Sequence, residues 1–181
     1  MKKAVVAAAL LAPLAGAAAI ADASEPTFSA RTVTHTGTVH VDAPPEQAFQ
    51  MFTAPGERLW VPGWDPVVLN GGDGRAEGTV FVTTHNDEQT VWVVVDYRPE
   101  SLRARYARIA PASRAGTVAV RVLPNGLGGS DVDVTYELTA LNAAGNRVLE
   151  AFDENEFSRM LTGWEDAIRA ARIELPIRFS R

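Results

Sequence analysis

GNRVLEAFDENEFSRMLTGWEDAIRAAR, residues 145–172, is the stretch around which the rest of the chain is organised. Placed on a helix at about 100° per residue, Leu149, Phe157, Met160, Trp164, Ala167, Ile168 and Ala171 share one side, and Asn155, Ser158, Thr162, Glu165 and Arg169 lie opposite. One uninterrupted helix from Gly145 to Arg172 would reach about 40 Å, enough to cross a whole sheet diagonally. Asn142 stands where a capping side chain is needed. The pattern therefore predicts a curved sheet gripping one long carboxyl-terminal helix.

Upstream, the period changes from that of a helix to that of strands. Val132, Val134, Tyr136, Leu138 and Ala140 alternate with Asp131, Asp133, Thr135, Glu137 and Thr139, a half-buried strand. Val118, Val120 and Val122 repeat the pattern before the turn Pro124-Asn125-Gly126. Between residues 80 and 106, runs about ten residues apart read as an antiparallel meander. A turn at Asn86-Asp87 pairs His85 with Glu88 and Phe81 with Trp92; a turn at Pro99-Glu100 pairs Tyr97 with Leu102 and Asp96 with Arg103. On that register Val80, Val82, Val91, Val93, Val95, Tyr97, Leu102, Ala104 and Tyr106 face inward. Phe81 and Trp92 form an apolar pair on the outer face, a possible association surface.

The first strand begins at Thr32, with Val33, His35, Gly37, Val39 and Val41 on one side and threonines on the other. Asp42 precedes Ala43-Pro44-Pro45-Glu46, a helix start with a capping side chain and early prolines, and the helix stops before Pro55-Gly56. Glu57 to Pro66, with Trp60, Trp64, two prolines and a glycine, is stiff and bulky, the character of a covering segment. Gly71-Gly72-Asp73-Gly74 lacks the Gly-Lys-Ser/Thr ending of a phosphate loop.

The amino terminus reads as an address. Lys2 and Lys3, the apolar run Ala4–Ile20 and Ala21-Asp22-Ala23 before Ser24 have the form of a secretory signal over residues 1–23, cut to leave one domain over residues 24–181. Pro13 and Gly16 interrupt the run, which argues against a span and for a mature chain with no integral membrane segment. The expected destination is the periplasm or the exterior. Removing the signal takes the formal charge from −5 to −6 through loss of Lys2, Lys3 and Asp22. An acidic domain without a basic run argues against nucleic acid. With no cysteine, the domain is stabilised by its core alone.

The order of elements resembles the helix-grip superfamily called SRPBCC, which includes START lipid-transfer domains, plant allergens and polyketide cyclase or dehydratase-like proteins. The likeness is carried by Val41-Asp42-Ala43-Pro44-Pro45-Glu46-Gln47-Ala48-Phe49, by Gly56 to Pro66, by Thr135-Tyr136-Glu137-Leu138-Thr139-Ala140-Leu141 and by Trp164-Glu165-Asp166-Ala167-Ile168. The resemblance implies an α+β helix-grip fold. A curved antiparallel sheet of about seven strands wraps the carboxyl-terminal helix, two short helices follow the first strand, and an apolar cavity lies between sheet and helix. It implies no single activity, because the superfamily contains carriers, receptors and enzymes.

Candidate ligand-binding residues follow from the inner face. Tyr97, Tyr106 and Tyr136 all fall on it and could ring a ligand with hydroxyl groups. His35 stands among valines, either as a structural residue or as a proton carrier. Asp153 falls in the middle of the helix's apolar side, either in the cavity as an acid or on an overhanging, wet turn. Trp60 and Trp64 form a lid or entrance wall, or simply pack the short helices. His35, His40 and His85 share no metal-ligand spacing, so neither metal nor other cofactor is expected. No Ser-His-Asp arrangement is legible and Gly-x-Ser-x-Gly is absent. The preferred function is the binding of a small hydrophobic or aromatic ligand without chemistry. Its rival is a cyclase or dehydratase-like enzyme using Asp153, His35 and a tyrosine as acid-base groups.

Overall fold

A computed structural model describes residues 28–85 and 87–174, with side chains of the last helix as far as Ala171. The proposed signal, the start of the mature chain, Asn86 and the segment beyond Glu174 lie outside the described residues. The elements run β1 (Thr32–Val41), α1 (Pro45–Met51), α2 (Ala54–Glu57), β2 (Val67–Val68), β3 (Val80–His85), β4 (Glu88–Arg98), β5 (Arg103–Ala110), β6 (Arg114–Pro124), β7 (Ser130–Ala140), α3 (Ala143–Ala151) and α4 (Glu154–Glu174). All strands pair antiparallel in one sheet, ordered β1-β7-β6-β5-β4-β3-β2. This is the helix-grip architecture expected from the sequence.

The sheet's inner face follows the alternation in β1, β6 and β7, where Val39, Val41, Val118, Val120, Val122, Val132 and Val134 are buried. Gly37 of β1 lets α4 approach closely: a Cβ there would stand 2.6 Å from Leu161 Cδ1 and 3.2 Å from Phe157 Cε1. That contact seats the helix on the sheet.

Several expectations are corrected. The carboxyl-terminal helix is not continuous from Gly145. It breaks at Phe152, and α4 starts afresh at Glu154. Asp153 causes the restart, since its Oδ1 accepts a 2.8 Å hydrogen bond from the Glu156 N–H and satisfies an orphan donor of the first turn. Asn142 does cap α3, its Oδ1 accepting from Gly145 N at 2.9 Å.

The second correction concerns β3 and β4. Phe81 does pair with Trp92, the rings stacking at 5.9 Å with 4° between planes. Yet the pair faces inward, with Phe81 only 1 % and Trp92 8 % exposed. The reason is an irregularity in β4 between Val94 and Asp96. Val95 bulges outward and stays exposed, so Val94 and Tyr97, three apart, both turn toward the core. Counting back from Tyr97 by twos therefore assigns the wrong face, and Val80, Val82, Val91, Val93 and Val95 are not the inner set. The next loop is also longer than two residues: Pro99–Ser101 form a 3-10 turn closed by Leu102 in the left-handed region. Tyr97 consequently pairs with Ala104 and Asp96 with Arg105.

After β1, α1 begins at Pro45, and its cap position is Pro44 without a side-chain bond, so Asp42 does not cap it. α1 ends at Met51, before Pro55-Gly56 as expected, and those two residues lie inside α2, started by Thr53, whose Oγ1 accepts from Gly56 N at 3.2 Å. A Cβ at Gly56 would collide with the Gln50 carbonyl. That close seating fixes the position of the next residue, Glu57.

Candidate functional site

Between the sheet and α4 lies a hollow of about 380 Å³, at the small end of the range for sites that enclose organic ligands. Its wall is built from rows that run across the strands. Phe81, Trp92, Arg108, Gly116 and Leu138 are successive partners from β3 to β7. The adjacent row runs Val94, Tyr106, Val118, Tyr136 and His35 from β4 to β1, and of it Tyr106, Val118 and Tyr136 line the hollow. Met160 and Trp164 of α4 and Phe152 close the hollow from the helix side. Pro62, Gly63, Thr84, His85 and Val148 also border it, and they stand exposed, placing the mouth between the 61–64 segment, the β3–β4 turn and α3.

Of the residues singled out from sequence, Trp64, Tyr106 and Tyr136 line this hollow. Trp64 donates from Nε1 to the Ala54 carbonyl at 2.8 Å and stands edge-on to Trp92 at 5.7 Å. Tyr106 is buried and donates its hydroxyl to the Phe52 carbonyl at 3.1 Å. Burial, with the nearby Glu57, raises its pKa. The Tyr136 hydroxyl makes no hydrogen bond to protein among the described residues, and burial pushes its pKa up to about 12.

The other four lie elsewhere. Trp60 is buried behind the wall, its Nε1 donating to the Met51 carbonyl at 2.7 Å and its ring edge-on to Trp164. Tyr97 stacks on Phe49 at 5.4 Å, and its hydroxyl accepts from Gln50 Nε2 at 3.4 Å. His35 lies over the helix break: its Nε2 donates to the Phe152 carbonyl at 2.9 Å, and its ring stacks on Phe157 at 5.5 Å. The broken helix frees that carbonyl, and the imidazole satisfies it. Asp153 is exposed and occupied in capping α4. His35, Asp153 and a tyrosine thus do not converge on one spot in the hollow.

Two charged residues outside that set line it as well: Arg108, which sequence reasoning missed, and Glu57, which it reads only as marking the rim or as solvated. Glu57, last residue of α2, is half-buried by exposed area because it faces the hollow, and protein surrounds it closely enough to strip most of its hydration. Its carboxyl has no hydrogen bond or ion pair among the described residues, and burial pushes its pKa from 4.5 to about 8. At neutral pH it is largely a protonated acid. Arg108 of β5 lies over the Trp92 ring, 5.4 Å from its centroid, and its Nη1 is buried without a hydrogen-bond partner. Burial and the neighbouring Arg114 lower its pKa. Arg108 could have been found by continuing the alternation Ala104, Tyr106, Arg108 along the inner face. Glu57 had no periodic signal.

A third charged group is self-contained. Glu88 binds Arg114 through both oxygens, at 2.9 and 3.1 Å, and accepts from Ser113 Oγ at 2.7 Å. Burial raises the Glu88 pKa, but these partners more than offset it and the net shift is downward.

The hollow therefore offers aromatic and aliphatic walls, a neutral carboxyl, a free phenol and a cation, Arg108, with no carboxylate within ion-pair distance among the described residues. Such a site can enclose an apolar body and address a few polar groups on it, and an acid with a pKa near neutrality can exchange protons.

No curated protein matches the sequence. Among solved structures, truncated norcoclaurine synthase from Thalictrum flavum is similar in fold, with a TM-score of 0.60 at 14 % identity, covering 85 % of this chain and 100 % of that one. The same enzyme in complex with dopamine and hydroxybenzaldehyde gives a TM-score of 0.59 at 15 % identity, over 84 % and 91 % of the two chains. A putative uncharacterized protein from Rhizobium leguminosarum gives 0.59 at 18 % identity, over 78 % and 97 %. At these identities the likeness is one of fold. The model of the family described as polyketide cyclase / dehydrase and lipid transport matches residues 32–170, and the chain belongs to that family.

Proposed function

We propose that the protein is an exported binding protein that takes a small apolar or aromatic molecule into the hollow between sheet and α4. The observation that carries this reading is the hollow itself, about 380 Å³, with an apolar wall of Phe81, Trp92, Phe152, Met160 and Trp164. A structural relative held with dopamine and hydroxybenzaldehyde supports the choice of aromatic compounds as probes. Export rests on residues 1–23 alone, and fractionation of the expressing cell tests it: a shortened chain outside the cytoplasm is expected, and a full-length cytoplasmic chain contradicts it. Binding is tested by titrating a naphthalene-based fluorescent probe against the wild type and a Val120→Phe variant, which narrows the hollow. Saturable one-site binding that the variant weakens is expected; binding that the variant leaves unchanged places the ligand elsewhere.

A second reading is acid-base catalysis in the same hollow, favoured by Glu57, whose pKa of about 8 suits proton transfer near neutral pH. Tyr136, whose hydroxyl has no protein partner among the described residues, shares the wall and could steady a carbonyl oxygen as the adjacent carbon loses its proton. Deuterium exchange at the α-carbon of β-tetralone, followed by NMR, tests it. Accelerated exchange that Glu57→Gln abolishes supports this reading, and exchange at the buffer rate dismisses it.

A further inference from the structure

We propose that Arg108 is an anion receptor in the wall of the hollow, so that the ligand is a monocarboxylate carried on a flat apolar body. This rests on the proposed binding function and narrows it to a chemical class.

Charge accounting within the hollow points to this residue. Arg114 is neutralised by Glu88 through a bidentate pair. Glu57 is mostly uncharged at neutral pH, because burial raises its pKa and no partner opposes the rise. Arg108 is the lining cation left over: among the described residues it has no carboxylate within ion-pair distance, and its Nη1 is buried with no acceptor. A buried cation without an acceptor is costly, and structures keep one chiefly where another charge is met there.

The surroundings hold the guanidinium in place. On one side the Trp92 indole lies beneath it at 5.4 Å, and the indole is itself fixed by Nε1 donating to Thr83 Oγ1 at 3.0 Å. On the other side its cross-strand partner is Gly116, which has no side chain to crowd the plane. No larger residue fits at Gly116, because a Cβ there would run into the backbone of Glu137. Next along the wall is the Tyr136 hydroxyl, which has no protein partner among the described residues and can donate to the same anion. A planar cation stacked on an indole, beside a phenol and under apolar walls, matches an aromatic or fatty carboxylate.

The test compares acids with their amides of equal shape, naphthoate against naphthamide and decanoate against decanamide, by calorimetric titration of the full chain. The acids are expected to bind about tenfold or more tighter than the amides, the factor a charge-assisted hydrogen bond supplies. Arg108→Met is expected to erase that preference by weakening the acids more than the amides, and Arg108→Lys to keep part of it. Equal binding of acid and amide by the wild type overturns this inference and leaves the hollow as a neutral binding site. A preference that survives Arg108→Met overturns it in favour of another cation. Absence of binding by any of the four compounds counts against the binding function as well. Should Arg108→Met fail to fold, the wild-type comparison and Arg108→Lys still decide.

Discussion

Replacing Glu57 by glutamine removes a titration while keeping the shape of the side chain, and its effect on stability has a sign fixed by the structure. Below about pH 4 the carboxyl is protonated whether the chain is folded or not, so it contributes nothing. Between 4.5 and about 8 the unfolded chain releases the proton and the folded one keeps it, so the native state loses stability steadily as pH rises. Above 8 both states are ionised and the loss is complete. At about 1.4 kcal/mol for each tenfold change in proton affinity, carrying the group from 4.5 to about 8 corresponds to a ceiling of about 5 kcal/mol. Water reaches the hollow through its mouth and screens part of this, so about half, ~2–3 kcal/mol, is the expected effect. In thermal melts from pH 4 to pH 9, the Tm of Glu57→Gln should rise relative to wild type by about 5–10 °C, with a plateau beyond pH 8. All other titrations are common to both chains and cancel. A difference that stays flat with pH, or that moves the other way, would refute a buried, uncompensated Glu57.

Phe81→Ser with Trp92→Ser should destabilise the fold by several kcal/mol in denaturant melts, because the pair is buried; small stability changes with altered association would restore it to the surface. Gly37→Leu drives side-chain atoms into Leu161 and Phe157 and should cost about 1–3 kcal/mol, read as a lower urea midpoint. Asp153→Ala should cost about 1 kcal/mol through loss of the α4 cap, with probe affinity unchanged, since the residue lies away from the hollow.

The fold was legible because its signals are redundant. Valines alternating in β1, β6 and β7 and the apolar stripe of α4 each demand a one-sided element, and the order of elements leaves one architecture. The errors came where one residue changes the count. Val95 bulges out of β4, and everything upstream reverses faces; no composition rule marks that position, since a valine suits either side. The break in the helix was written in Asp153-Glu154-Asn155-Glu156, an acid followed three residues later by another, which is an N-terminal cap pattern. The strength of the flanking apolar periodicity concealed it. Parity places Tyr106 and Tyr136 on the inner face, and Arg108 obeys the same parity, although the charge of an arginine points to solvent. Glu57 was illegible from pattern. Its placement depends on the contact of Gly56 with the Gln50 carbonyl, which belongs to tertiary packing rather than to local sequence.

The central claim is that a molecule enters between sheet and helix, and a crystal structure of the protein grown with naphthoate tests it most directly. Density for the rings between Trp92, Tyr136 and Met160, with the carboxylate against Arg108, is the predicted result. A collapsed interior with those side chains in mutual contact, and naphthoate only on the outer surface, would contradict it.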